Sequence, residues 1–324
     1  MIYTNETGIP LSVAVFLASD YYDYNPKAIS ATTLLKPIRQ VVLSKRVKPG
    51  ANIPDISEMI ASRMGSAIHD GVERAWTTNY HVAMKALGYP QDIIDRIRVN
   101  PDPATVKPED IPVYMEIRSS REVNGVTVSG KFDFIGNGKL EDFKSTSVYT
   151  WIHDRKDDDY ILQGSIYRWL NPELVTDDTM SIQFFFTDWQ KHMARVQADY
   201  PQARTMKRSF ALLPLDKTEL YVRNRIDAIN LYMDKPDEEI PLCTDKELWR
   251  KEDAWKYYKN PMNKTRATKN FDNEMEALAR WQDDGCVGEV VKIPGQVTAC
   301  KYCPAYTVCQ QARALEDNGE LVFE

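Results

Sequence analysis

The sequence predicts a mixed α/β fold, a central β-sheet flanked by helices, and three observations carry that expectation. Over 55–88 apolar residues recur every four positions, as on one face of a helix: Ile56, Ile60, Met64, Ile68, Val72 and Trp76. From 113 onward the period changes to two, in "VYMEIRSSREV", "VTVSGKFDFI" and "KLEDFKSTSVY", with turn signals at "NG" and "GNG". The chain then reads helix (157–170), strand ("SIQFFFTDW", 181–189), strand ("RSFALLPLD", 208–216) and helix (217–234). Elements interleaved in this way pack as layers.

The remaining segments follow from local signals. "AISATTLLKPIRQVVLSKRV" (28–47) predicts a Ser/Thr-capped short helix running into a basic loop, and "NPDPATVKPEDIP" (100–112) a proline-rich connection. From about 240 the composition shifts toward Trp, Tyr and Lys and ends in a cysteine cluster. The expected organisation is therefore an N-terminal helix and loop segment over 1–54, a core over 55–239 and a helical, cysteine-containing extension over 240–324.

The 324 residues are 43% hydrophobic and 27% charged, ordinary globular values, with a net charge of −6. Contact with nucleic acid would need local basic patches against that acidic background. The apolar run "LSVAVFLAS" is about half of what a membrane span needs and has no basic region before it. A cytoplasmic protein is expected on these grounds.

The stretch "GKFDFIGNGKLEDFKST" (130–146) carries the chemistry. Alternate strand residues share a face, so Asp142 and Lys144 point together and Phe143 points away. Asp133, across the turn, can bring its carboxylate beside that of Asp142. Two such carboxylates repel unless a cation joins them, and hard oxygen ligands suit Mg²⁺ or Mn²⁺. A lysine beside the metal can hold a phosphate or help deprotonate a water, which is the chemistry of phosphodiester cleavage. Alone, D-x-K is a weak motif that solvated strands also carry. Three neighbours strengthen it: His69 and Glu73 at i and i+4 in "GSAIHDGVE", Glu116 on the preceding strand, and Gln163 and Tyr167 at i and i+4 in "LQGSIYRWL".

In order these motifs resemble the RecB-like branch of the PD-(D/E)XK nuclease superfamily, most closely the phage exonucleases and the CRISPR-adaptation nucleases of that branch. The resemblance spans about residues 60–190 by motif. It implies a restriction-endonuclease-like core and a metal-dependent DNA exonuclease of DNA recombination, repair or phage DNA metabolism. It implies His69 as a metal ligand, Asp133 (led by Gly130) and Asp142 as acidic ligands with the backbone carbonyl of Phe143, Lys144 for the chemistry, and Gln163 and Tyr167 for positioning site and DNA. Glu116 is carried as an additional carboxylate, and Glu73 is left outside the site. The family's proline before the first aspartate is replaced by Phe132. The alternatives are a non-catalytic DNA-binding or end-protection module on the same fold, against which every catalytic position is filled, and a site-specific endonuclease, for which no specificity domain is visible.

All five cysteines lie beyond residue 242. "CKYCPAYTVC" gives Cys300, Cys303 and Cys309, and three thiolates so close in sequence can converge on one metal centre with a fourth ligand from elsewhere. Cys243 and Cys286 are the candidates, and Cys243 is favoured because it starts the extension. The resemblance implies a [4Fe–4S] cluster; in that family the distant cysteine precedes the nuclease motifs, where this chain has none. Structural Zn²⁺ is the alternative, although only one C-x2-C pair is present.

Between these cysteines "RKEDAWKYYKNPMNKTRATK" (250–269) holds seven Lys/Arg against two acidic residues. Charge for phosphates and rings for bases make a single-stranded DNA surface, so Trp255, Lys256, Tyr258, Lys259, Lys264 and Arg266 are candidate DNA contacts. A solvated helix face with its aromatics packed inward is the competing expectation. A homo-oligomer or a recombination partner is compatible with the sequence.

Overall fold

The computed structural model describes residues 2–21, 25–48, 50, 53–154 and 156–323. The chain folds into two compact units, Met1–Leu35 with Ile53–Asp227, and Lys36–Asn52 with Ala228–Glu324. Among the described residues no helix is long and apolar enough to cross a membrane.

The first unit is mixed α/β. Its strands are β1 (Ala28–Ser30), β2 (Ile97–Val99), β3 (Ile111–Met115), β4 (Arg118–Val123), β5 (Val126–Lys131), β6 (Phe134–Gly136), β7 (Lys139–Thr146), β8 (Thr179–Phe186) and β9 (Thr205–Ala211). Six form a mixed sheet in the order β2-β3-β6-β7-β8-β9, and three form a smaller sheet in the order β1-β5-β4. β7 and β8 run parallel. A parallel pair cannot be closed by a tight turn, and the connection here carries the helices Val148–His153 and Asp157–Leu170. The second of these has Asp157, Asp158 and Asp159 in its first turn and Arg168 in its last, the arrangement the helix dipole favours. β8 is buried along most of its length, whereas β9 alternates exposed and half-buried residues as an edge strand does.

β7 lies between helices. On one side Asp142 and Lys144 meet Gln163 of Asp157–Leu170, and on the other Phe143 meets His69 of the helix Ile60–Thr78. Gly164 lets Asp157–Leu170 approach the sheet closely, because a Cβ there would collide with Met180 on β8.

Several sequence expectations change in detail. The predicted helix over 55–88 is a 3-10 turn (Ile56–Met59) followed by Ile60–Thr78 and Tyr80–Ala86, broken at Asn79. Its apolar stripe is only partly covered, since Ile60 and Met64 are exposed. The segment 28–47 is not one helix: Ser30 caps Ala31–Leu34, and Pro37 ends that piece and opens Ile38–Ser44. The strand expected at 208–216 lies earlier, at Thr205–Ala211. The predicted strands "VYMEIRSSREV" and "VTVSGKFDFI" are each broken in two, and these breaks shape the site described below.

The second unit contains the helices Ile38–Ser44, Glu274–Asp283 and Gln310–Asp317. It also carries an antiparallel sheet of β10 (Ala254–Tyr258), β11 (Lys269–Phe271) and β12 (Glu289–Ile293) in the order β11-β10-β12. One core gathers Val42, Leu43, Ile240, Leu248 and Leu315 around Cys300 and Cys309, and a smaller one packs Tyr257, Phe271 and Ala277 beneath the sheet.

Candidate functional site

β3 and β4 form one side of a long antiparallel ribbon, and β6 and β5 the other. Met115 pairs with Phe134 in the six-stranded sheet and Arg118 with Lys131 in the three-stranded one. Continuing either register puts Glu116 opposite Asp133 at the bend, where Glu116 N–H donates to the Asp133 carbonyl at 3.3 Å. Glu116 takes a left-handed backbone with φ of 53°, which non-glycine residues seldom adopt and which clusters at functional sites. Two carboxylates thus leave the ribbon at one step, both largely sheltered from water.

His69 reaches them from the helix Ile60–Thr78. Its Nδ1 lies 3.4 Å from Glu116 Oε1 and 3.3 Å from Asp133 Oδ1. One donor atom from each of His69, Glu116 and Asp133 falls within 4.8 Å of the others, close enough to share an ion. Burial pulls His69 toward its neutral form, but Asp133 and Glu116 outweigh it and push the imidazole up to about 10. Without a cation the imidazolium holds the two carboxylates together; with one, His69 would bind as the neutral base. Lys131 Nζ stands 2.5 Å from the other Glu116 oxygen. The K-x-D spacing of Lys131 and Asp133 was its only sequence signal.

The second Asp133 oxygen accepts the Phe143 N–H at 2.7 Å. β6 pairs with β7 only as far as Glu141, so Asp133 stands in for the missing strand at Phe143. The N–H and C=O of a strand residue face the same side, and the Phe143 carbonyl therefore turns toward this gap.

Next to this group on β7, Asp142 is 1% exposed and its carboxylate lies 2.6 Å from Lys144 Nζ. Lys144 donates to Gln163 Oε1 at 3.3 Å, and Gln163 Nε2 reaches Tyr167 Oη at 2.8 Å and Asp142 Oδ1 at 3.5 Å. Burial pushes Asp142 up, to about 6, against the pull of Lys144, while Asp133 adds to the rise. Lys144 is itself raised: burial works against its charge, but Asp142 and Asp133 prevail. Gly130 explains itself here, because a Cβ would come within 2.9 Å of the Tyr167 ring and 2.8 Å of Leu170 Cδ1.

The structure therefore gathers His69, Glu116, Asp133, Asp142, Phe143, Lys144, Gln163 and Tyr167 around the middle of β7. It groups Glu116 more tightly with His69 and Asp133 than it does Asp142, which turns to Lys144.

In the second unit, Cys300 and Cys309 are buried, with Cys243 and Cys303 packed against the same core. Burial drives the Cys243 thiol up to about 12, with Glu247 and the three other cysteines adding to it, and drives Cys300 up to about 11. Gln311 fastens Cys243 in place: Cys243 N–H donates to Gln311 Oε1 at 2.8 Å, and Gln311 Nε2 donates to the Cys243 carbonyl at 2.9 Å. Cys286 is exposed and sits at a left-handed turn after Gly285.

The basic segment presents charge without the aromatic faces its sequence suggests. Tyr258 is buried, 7% exposed, and Trp255 packs against the core of Tyr257, Phe271 and Ala277, so neither ring offers an open stacking face. Alternation along β10 puts Trp255 with Tyr257 on the face that packs against Phe271 and Ala277, while Tyr258 lies on the other face and is buried there. Lys256 is half-buried, and Lys259, Lys264 and Arg266 are exposed, with Lys264 2.7 Å from Glu289 and Lys259 3.6 Å from Asp284.

No family model and no curated protein matches the chain. Among solved structures it is similar to SSO0001, at 14% identity over 71% of this chain and 92% of that one, with a TM-score of 0.40. It is also similar to a phage-related exonuclease from Haemophilus somnus 129PT, at 15% identity over 67% of this chain and 98% of that one, with a TM-score of 0.29.

Proposed function

We propose that this protein is a metal-dependent DNA exonuclease of the RecB-like PD-(D/E)XK kind. The observation that carries this reading is the meeting of His69, Glu116 and Asp133 beside the buried Asp142–Lys144 pair. Several carboxylate oxygens are donors that Mg²⁺ and Mn²⁺ accept, and the imidazole beside them favours the transition metal of the two. His69, Glu116, Asp133, Asp142 and the Phe143 carbonyl would hold one or two such ions. When bound, the metal supplies Lewis acidity and lowers the pKa of water for attack on phosphorus.

The chain's own residues supply the rest. Lys144, kept charged by Asp142 and Asp133, orients the attacking water or steadies the charge that develops on the phosphate. Gln163 bridges Lys144 and Tyr167, so the helix Asp157–Leu170 fixes the lysine's direction. Asp133, by accepting the Phe143 N–H, holds the two halves of the site in register. Lys259, Lys264 and Arg266 add phosphate contacts without base stacking.

The four cysteines Cys243, Cys300, Cys303 and Cys309 form one metal centre in this reading, a [4Fe–4S] cluster rather than Zn²⁺. Their shared core supports a common centre, and the resemblance to the cluster-bearing nucleases favours iron–sulfur over zinc. Iron and zinc analysis of anaerobically purified protein separates the two. The activity is tested with end-labelled single- and double-stranded DNA and Mg²⁺ or Mn²⁺, wild type beside Asp142→Ala. Stepwise loss of terminal nucleotides by wild type alone is expected; DNA left intact by wild type under all these conditions contradicts the reading.

A further inference from the structure

The cysteine core contains a buried arginine that the nuclease chemistry does not use. Arg39, in the helix Ile38–Ser44, is 3% exposed. Nη1 donates to the carbonyls of Asp237 at 3.2 Å and Ile240 at 3.0 Å, and Nη2 pairs with the Asp237 carboxylate. The Nε N–H points at Cys309 Sγ at 3.2 Å. Every other partner is an oxygen. A thiol sulfur is a weak acceptor, and a buried charged N–H directed at one is poorly satisfied. A metal-bound thiolate retains negative charge and is a good acceptor.

The same pair secures the backbone next to that sulfur. The other Asp237 oxygen accepts the Gln310 N–H at 2.8 Å, at the start of the helix Gln310–Asp317 for which Cys309 is the N-cap. Arg39 and Asp237 thus grip Cys309 by its side chain and by the residue that follows it.

We propose that Arg39 is the charged hydrogen-bond donor to a metal-bound Cys309 sulfur, a positioning residue that retains and tunes the cysteine centre. This rests on the reading of Cys243, Cys300, Cys303 and Cys309 as one metal centre. Donors to ligand atoms typically change metal affinity by about 10- to 100-fold, and donors to cluster sulfurs shift reduction potential. By withdrawing charge from the sulfur, Arg39 favours the reduced form and raises the potential.

The test uses the full-length protein, purified anaerobically, as wild type, Arg39→Gln, Arg39→Lys and Asp237→Asn. Metal per chain is measured first, then the rate of transfer to a chelator and the sulfur-to-metal charge-transfer spectrum, the latter after cobalt exchange if the metal is zinc. Arg39→Gln and Arg39→Lys, both lacking Nε as a guanidinium donor, are expected to lose metal about tenfold faster and to shift the charge-transfer bands. In an iron-loaded protein their midpoint potential falls as well. Asp237→Asn, which leaves the Nε donor in place, moves thermal stability more than the spectrum. Arg39→Lys keeps a cation for Asp237 and so provides a folded variant if Arg39→Gln does not accumulate. Unchanged release rates and superposable spectra in metal-loaded Arg39 variants overturn the proposal alone. A wild-type chain holding neither iron nor zinc overturns the metal-centre reading and the proposal with it.

Discussion

Glu116 stands opposite Asp133 at the step where the β-ribbon leaves one sheet for the other, and each carboxylate lies no more than 3.4 Å from His69 Nδ1. A strained residue, a sheet boundary and a shared imidazole coincide at one point. Glu116 takes its left-handed backbone at this bend, and its carboxylate meets the same imidazole nitrogen as that of Asp133.

His69 links that geometry to pH. Its folded value, about 10, lies above the ordinary 6.5. In metal-free protein its stabilising contribution is complete below the ordinary value and is lost as pH rises toward the folded one. Metal binding at pH 8 should therefore release about one proton per ion from His69. Calorimetry in buffers of different ionisation heat checks this. Proton release that is the same in His69→Ala as in wild type contradicts it.

Gly130 predicts a stability effect with a local cause. Gly130→Ala drives a methyl group into Tyr167 and Leu170. Overpacking of this kind costs about 1–3 kcal/mol. Because Tyr167 accepts the Gln163 amide, cleavage should fall along with the melting temperature. Wild-type melting and turnover in Gly130→Ala would show that the Gly130–Tyr167 contact is not needed.

The cysteines divide by place. Cys243→Ser, Cys300→Ser, Cys303→Ser or Cys309→Ser should each lower metal content, whereas exposed Cys286→Ser should leave it unchanged. Metal analysis per chain reads this directly. Full loading of Cys243→Ser with loss in Cys286→Ser would reverse the assignment of the fourth ligand.

If the exposed charges of the basic segment contact phosphates, Lys264→Glu and Arg266→Glu should weaken DNA binding and flatten its salt dependence. For single strands the expected loss is about 0.7 in the log–log slope for each contact removed. Fluorescence anisotropy across a salt series measures both. Trp255→Leu, by contrast, should mainly lower stability, because that ring packs into the core.

These contrasts show what the sequence made legible. Asp142 and Lys144 could be paired from text because strand periodicity is local, and so could Gln163 and Tyr167 on a helix. The opposition of Glu116 and Asp133 follows from the register of the Asn124-Gly125 turn, but the bend that carries both carboxylates to His69 could not be read, because the strands were expected to run unbroken. Trp255 was legible as an aromatic among basic residues, but its inward packing depends on β11, β12 and the helix Glu274–Asp283, which the text did not announce. Arg39 lies 270 positions from Cys309, and no pattern near it signals a buried partner for sulfur.

In the proposed mechanism Lys144 serves chemistry at a metal site built on the Glu116–Asp133 bend. Its most direct test is single-turnover cleavage of end-labelled DNA with Mn²⁺, comparing wild type with Lys144→Ala, alongside DNA binding by both. Removing one preorganised stabilising group typically costs a factor of about 10²–10³ in rate. The account predicts a loss of that order or greater, with binding little changed. Cleavage by Lys144→Ala at the wild-type rate would contradict it.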